Sequence, residues 1–147
     1  MRGALGQAVI ILLAALLAAA GTHFLHPKAP AWYLLEEPLK EDEVTLGLIQ
    51  ERWQGDVLWI DARLRKEYET AHVPEALLLN EQEADQLLFD HFEKLQDNKR
   101  PIVVYCGSEA CQGSRKIADY LRERLPGMEI YVLKGGWKAW LAGRAKG

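Results

Sequence analysis

The chain of 147 residues is poor in cysteine, with two, and in histidine, with four. Two thiols are too few to staple a small disulfide scaffold. Neither a Cys-x-x-Cys pattern nor a nearby histidine pair accompanies them, so no metal site is expected. Surplus positive charge is also lacking: 18 Lys and Arg stand against 21 Asp and Glu, a net of −3. A protein that binds nucleic acid by neutralising phosphates would be basic, so no nucleic-acid partner is expected. Internal repeats and low-complexity tracts are absent, and the length leaves room for one domain.

Residues 1–30 contain no acid and only two basic residues, Arg2 and Lys28. Ala8 to Ala20 has no polar side chain at all. As helix, Ala4–Leu25 would reach about 33 Å, enough for a hydrocarbon core of ~30 Å. One reading is a membrane anchor over residues 1–25. The other is a signal peptide with Arg2 ahead of the apolar run and Ala18-Ala19-Ala20 as a small-residue cleavage site. The anchor is preferred, because apolar character continues through Phe24 and Leu25, and Trp32 and Tyr33 follow as interfacial aromatics. On either reading the rest of the chain is expected outside the cytoplasm, which is the periplasm in a Gram-negative cell: tethered to the membrane in the first case, secreted after cleavage in the second. Residues 26–40, with Pro27 and Pro30, read as a stiff linker, and residues 41–147 as the working domain.

The working domain alternates strand and helix patterns. Glu41–Trp53 suits a strand start followed by a short helix. Val57–Asp61 is a compact apolar run ending in an acid. Arg65–Thr70 is a short charged helix, Ala76–Leu79 a second apolar run, and Glu83–Gln96 an amphipathic helix. Ile102–Tyr105 is a β-branched strand bounded by Pro101. Ser114–Leu125 is an amphipathic helix with Ser114 as its N-cap, Ile130–Leu133 a strand, Gly135-Gly136 a turn and Trp137–Leu141 a last short helix. This order predicts an α/β fold: a central, mostly parallel sheet flanked by helices and preceded by the apolar N-terminal helix. Trp53, Trp59, Trp137 and Trp140 are expected to pack its core.

Cys106 follows the strongest strand directly and opens the segment Gly107-Ser108-Glu109-Ala110-Cys111-Gln112-Gly113 ahead of a helix. Backbone N–H groups of such a loop converge on one point, and the helix N-terminus adds positive partial charge. A thiol held there is pushed toward thiolate, the reactive form. The same cradle binds a small anion or holds a persulfide. The plain alternative is a small buried hydrophobe at a strand end. Asp61 and Arg63 read either as a carboxylate and anion clamp or, as preferred, as a buried ion pair pinning the loop after its strand.

Three stretches resemble one family. Trp59-Ile60-Asp61-Ala62-Arg63 with Glu67-Tyr68-Glu69-Thr70-Ala71-His72-Val73-Pro74-Glu75-Ala76 resembles the early signature of the rhodanese-like domain. Val103-Val104-Tyr105-Cys106 is similar to its strand and nucleophile, and Leu133-Lys134-Gly135-Gly136-Trp137-Lys138-Ala139-Trp140 to its closing signature. The resemblance covers roughly Val44 to Leu141. It implies a single rhodanese-like domain and sulfur transfer through a persulfide on Cys106. A small sulfur-donor anion or persulfide would load the thiolate, a thiol acceptor or partner protein would unload it, and no metal or organic cofactor is needed. It also implies a structural role for His72 beside Asp61 and Arg63. The family usually has glycine where Ala71 and Glu75 stand, and active members close the loop with an arginine. Here Gln112 and Gly113 precede Ser114, and Arg115, the nearest arginine, is the candidate anion contact. The same missing arginine disfavours a phosphatase. Cys111 is open to three readings: a resolving thiol for Cys106, half of a resting disulfide, or a packing residue. The alternative to an enzyme is therefore a binding or thiol redox-sensing module at the membrane that uses Cys106 and Cys111.

Overall fold

The computed structural model describes residues 2–25, 38–107 and 112–145. It divides into two compact units, Met1–Pro38 and Leu39–Gly147, each considered by itself. Most of the linker expected at residues 26–40 lies outside the described residues.

Among the described residues the first unit holds one helix, α1 (Arg2–Leu25), and the described apolar side chains from Ala8 to Ala18 are exposed, Leu17 at 74%. The expected membrane span has no support here: among the described residues, no helix is long and apolar enough to cross a membrane.

The second unit is a five-stranded sheet with helices on both faces. Its elements are β1 (Glu43–Val44), α2 (Leu46–Trp53), β2 (Leu58–Asp61), α3 (Arg65–Thr70), β3 (Leu77–Leu78), α4 (Ala84–Gln96), β4 (Ile102–Tyr105), α5 (Gly113–Arg124), β5 (Ile130–Leu133) and α6 (Gly136–Arg144). The strand order is β1-β5-β4-β2-β3, and every pairing is parallel. A parallel sheet covered on both faces needs strands that are apolar throughout, which is why β4 reads Ile-Val-Val-Tyr with all four residues buried. Alternation along the strands sorts the core into two layers. Ile60 and Val104 pack with Leu87 and Leu95 of α4 and Ile117 and Leu121 of α5. Val103, Tyr105 and Leu133 pack with Ile49 of α2, and Trp53, Trp59, Trp137 and Trp140 lean against that layer as expected.

Local chemistry sets the element ends. Thr45 caps α2, its hydroxyl accepting from the Leu48 N–H at 3.3 Å. Buried Asn80 accepts from the N–H groups of Gln82 and Glu83, both at 3.0 Å, and so turns the chain into α4. Val73-Pro74-Glu75-Ala76 is a turn closed by the Ala76 N–H on the Val73 carbonyl at 3.0 Å. Glu75 has φ of +62° there, at the third turn position, where a type II turn favours glycine. The left-handed backbone costs a non-glycine residue roughly 1–2 kcal/mol. Glycine returns about 0.5–1 kcal/mol of that as lost chain entropy. Glu75→Gly is thus expected to stabilise the domain by about 0.5 kcal/mol, raising Tm by a few degrees. A lower Tm in a thermal melt would refute the strain at this turn.

Candidate functional site

The site is built at the carboxyl end of β4, the middle strand of the sheet. Cys106 is the next residue and is 1% exposed, with its side chain in the layer shared with Ile117 and Ala118. Helix α5 runs back from this end. Its N-cap is Gln112, which makes no side-chain cap bond; Ser114, expected as the cap, lies inside the first turn instead. That shift has a chemical result. The buried Ser114 hydroxyl donates to Cys106 Sγ at 3.3 Å, so the sulfur meets both a hydroxyl donor and the positive end of a twelve-residue helix. Of the expected cradle, Gly107, Gln112 and Gly113 are described; Ser108, Glu109, Ala110 and Cys111 lie outside the described residues, and with them the expectations for Cys111.

The backbone of Cys106 is held from the other side. The Trp137 N–H donates to the Cys106 carbonyl at 2.7 Å. Gly136 has φ of +52° and packs so tightly on that carbonyl that a Cβ would overlap its oxygen. The second glycine of the closing signature is therefore required by steric contact as well as by backbone conformation.

Beside the cysteine lies a buried polar network. Asp61 is fully buried and accepts from Arg63 Nη2 at 2.6 Å, Arg63 Nε at 3.0 Å, the Arg63 backbone N–H at 2.9 Å and the Tyr105 hydroxyl at 2.7 Å. The Tyr105 oxygen in turn accepts from the Val73 N–H at 3.0 Å. Arg63 Nη2 also donates to the Ala71 carbonyl at 2.7 Å, and the guanidinium lies 4.2 Å from the centre of the Trp137 ring. Burial holds the Tyr105 phenol protonated, well above its usual range. For Arg63, burial opposes the charge, but Asp61 outweighs it and keeps the guanidinium protonated. Asp61 and Arg63 form an ion pair that ties the end of β2 to β4 and α6. The charged groups of both side chains are taken up in these contacts.

His72 is exposed, stacks on the Tyr68 ring at 3.9 Å and places Nδ1 2.8 Å from the Tyr68 carbonyl, so its contact is with the end of α3. Arg115, the candidate anion contact, is engaged by two carboxylates. Its Nη1 lies 2.9 Å from Asp42 and its Nη2 2.6 Å from Glu43, so its charge is matched at β1. The hydrogen bond that Arg115 donates to Asp42 raises the Arg115 pKa further; burial works against Asp42 as a charge, but Arg115 and Arg122 outweigh it and hold its carboxyl low. Among the described residues, no group of three or more His, Cys, Asp or Glu is placed to hold a metal ion.

Sequence reasoning missed two contributors. Tyr105 reads as one more apolar strand residue, and nothing local shows that its hydroxyl joins positions 32 and 44 residues away. The contact of Ser114 with sulfur was hidden by the stronger expectation of a cap, though a hydroxyl eight residues after the cysteine was a usable signal.

The fold is similar to several solved structures. A protein of Bacillus halodurans superimposes with a TM-score of 0.55 at 22% identity, covering 69% of this chain and 72% of that one. A thiosulfate sulfurtransferase from Pseudomonas aeruginosa gives 0.54 at 20% identity, covering 74% of this chain and 20% of that one. A rhodanese-related protein from Thermoplasma volcanium gives 0.51 at 16% identity, covering 69% of this chain and 91% of that one. At these identities the likeness is one of fold. No curated protein matches the chain. The sequence pattern of the Rhodanese-like domain matches residues 47–143, which take in β2 to β5, α3 to α5 and all but one end residue each of α2 and α6. With the pattern, the parallel sheet and the cysteine at the end of its middle strand in agreement, the chain belongs to the rhodanese-like domain family.

Proposed function

We propose that the domain is a sulfurtransferase that carries sulfane sulfur as a persulfide on Cys106. The observation that carries this reading is the contact at the sulfur: a buried thiol at the N-terminus of α5 that accepts a hydrogen bond from the Ser114 hydroxyl. Both features favour thiolate over thiol, and thiolate is the nucleophile. The Cys106 thiolate attacks the outer sulfur of a donor, and the donor's remaining fragment leaves with the bonding electron pair. A thiol acceptor then takes the sulfur from the persulfide and restores the thiolate. The likeness in fold to a thiosulfate sulfurtransferase supports the reaction class. We also propose that the domain works outside the cytoplasm, directed there by the apolar segment of α1, which fractionation of cells expressing the full chain would test.

Intact-mass measurement tests the reaction. Reduced protein treated with thiosulfate or a low-molecular-weight persulfide is expected to gain the mass of one sulfur atom, to lose it to a thiol, and to show no gain as Cys106→Ser. Cys111→Ser is expected to load normally. Ser114→Ala removes a hydrogen bond to a charged group, worth about 1.5–3 kcal/mol, so loading should slow by roughly 10-fold or more. Its pH–rate profile should also move to higher pH. Absence of any adduct on reduced wild-type protein with both donors would sink the proposal.

A further inference from the structure

The donors open to Cys106 differ in what they require of the site. Thiosulfate expels sulfite, a small oxyanion whose negative charge must be matched as it leaves. A persulfide R–S–S–H on an uncharged carrier expels one thiolate. The side chain fitted to an oxyanion is arginine, whose planar fork gives two parallel hydrogen bonds. Arg63 and Arg65, just after β2, and Arg115, at the start of α5, are each engaged elsewhere. Arg63 is buried on Asp61 and the Ala71 carbonyl. Arg65 is paired with Glu83. Arg115, one residue beyond the Ser114 that touches the sulfur, is turned to Asp42 and Glu43.

The partners of Arg115 are not loose. Glu43 belongs to β1, and the Asp42 carbonyl accepts from the Val132 N–H at 2.8 Å, so the backbone of both carboxylates is fixed to the sheet. Asp42 is held from a second direction by Arg122, whose Nη2 lies 3.2 Å from it and also donates to the Ile130 carbonyl at 2.7 Å. Both ends of the Arg115 fork are thereby occupied by groups it cannot carry with it toward the sulfur.

We propose that Asp42 and Glu43 set the donor specificity of this site by withholding Arg115 from it, so that Cys106 takes sulfur from thiol-borne persulfides in preference to sulfur oxyanions such as thiosulfate. This rests on the sulfurtransferase reading above. In the favoured reaction the Cys106 thiolate bonds to the outer sulfur of R–S–S–H. The bond between that sulfur and the carrier breaks, and the carrier thiolate leaves with the electron pair. Cys106 is oxidised to the persulfide, the donor is reduced to a thiol, and no further oxidant or reductant is needed.

The test compares two donors on the reduced full-length chain: sodium thiosulfate and the persulfide of 2-mercaptoethanol, an uncharged carrier. The rate of single-sulfur gain is read by intact mass. In the variant Asp42→Asn/Glu43→Gln the released Arg115 is expected to raise thiosulfate loading by roughly 10-fold, with persulfide loading unchanged. Arg115→Met alone should alter neither rate, and added to the double variant it should abolish the gain. Thermal melts establish that each variant is folded, and Asp42→Asn alone serves should the double variant fail to fold. A thiosulfate-to-persulfide ratio that stays at the wild-type value in the released variant overturns the proposal. So does slower thiosulfate loading in Arg115→Met. Those results leave sulfur transfer itself standing, whereas a folded wild-type chain that loads from neither donor overturns both readings.

Discussion

Replacing Gly136 with alanine is expected to destabilise the domain by about 3 kcal/mol and to slow sulfur loading on Cys106 by as much as about 100-fold. Two independent effects add up to the stability loss. At φ of +52° an alanine pays roughly 1–2 kcal/mol for the left-handed backbone. Forcing a methyl into a packed contact costs a further 1–3 kcal/mol or so. The contact here is backbone on backbone, since the Cβ would overlap the Cys106 carbonyl oxygen, and no flexible side chain can yield. Relief requires Cys106 itself to move, which also strains the bond from the Trp137 N–H. Displacing a reacting atom by about 1 Å can cost on the order of 100-fold in rate. The stability change is read from a thermal melt, and the rate from intact mass at a temperature where the variant is folded. A folded Gly136→Ala protein that loads sulfur at the wild-type rate would show that this contact does not position the cysteine.

Asp61→Asn is expected to be nearly as damaging to stability, by about 3–5 kcal/mol, because it leaves a buried arginine without its counter-charge. The substitution is close to isosteric, so packing is not the cause. Every partner of the Asp61 carboxylate is a donor: Nε and Nη2 of Arg63, the Arg63 N–H and the Tyr105 hydroxyl. An asparagine amide would present its own donors to them. Arg63 cannot reach water, being 6% exposed, and its other contacts are the Ala71 carbonyl and the faces of Trp137 and Tyr105. The double substitution Asp61→Leu/Arg63→Met removes both charges and should cost less than Asp61→Asn alone. Urea denaturation midpoints for the three proteins decide the matter; a double variant much less stable than the single would contradict it.

The regular parts of the fold were readable because their signals are local. Ile102–Tyr105, Ile130–Leu133 and Arg65–Thr70 end where their residue types predict, since β-branched runs and a charged turn need no distant partner to be recognised. The apolar run Ala76–Leu79 is longer than the rim strand β3 it contains, because Ala76 and Leu79 are as buried as Leu77 and Leu78 although only the latter two are in strand register with β2. At the site, the position of Cys106 followed from strand, loop and helix in sequence order. The orientation of Arg115 did not, because Asp42 and Glu43 lie 73 and 72 residues before it and meet it only once β1 has joined β5. Ser114 was misassigned for a related reason: cap preference is a statement about one residue and its helix, whereas the sulfur that claims its hydroxyl comes from another element.

The rim strands have a consequence for association between molecules. Both outer strands of the sheet, β1 and β3, are only two residues long. An outer strand offers unpaired N–H and C=O groups on which another chain can template itself, and a rim this short offers too few for a lasting ladder. The sheet is thus closed to strand addition, the backbone route to fibrous aggregation. Contact between two copies of the domain is left to side-chain surfaces, where Phe89 of α4, 79% exposed, is the most exposed large apolar group among the described residues. Association through the rims of the sheet is thereby disfavoured relative to association through helix faces.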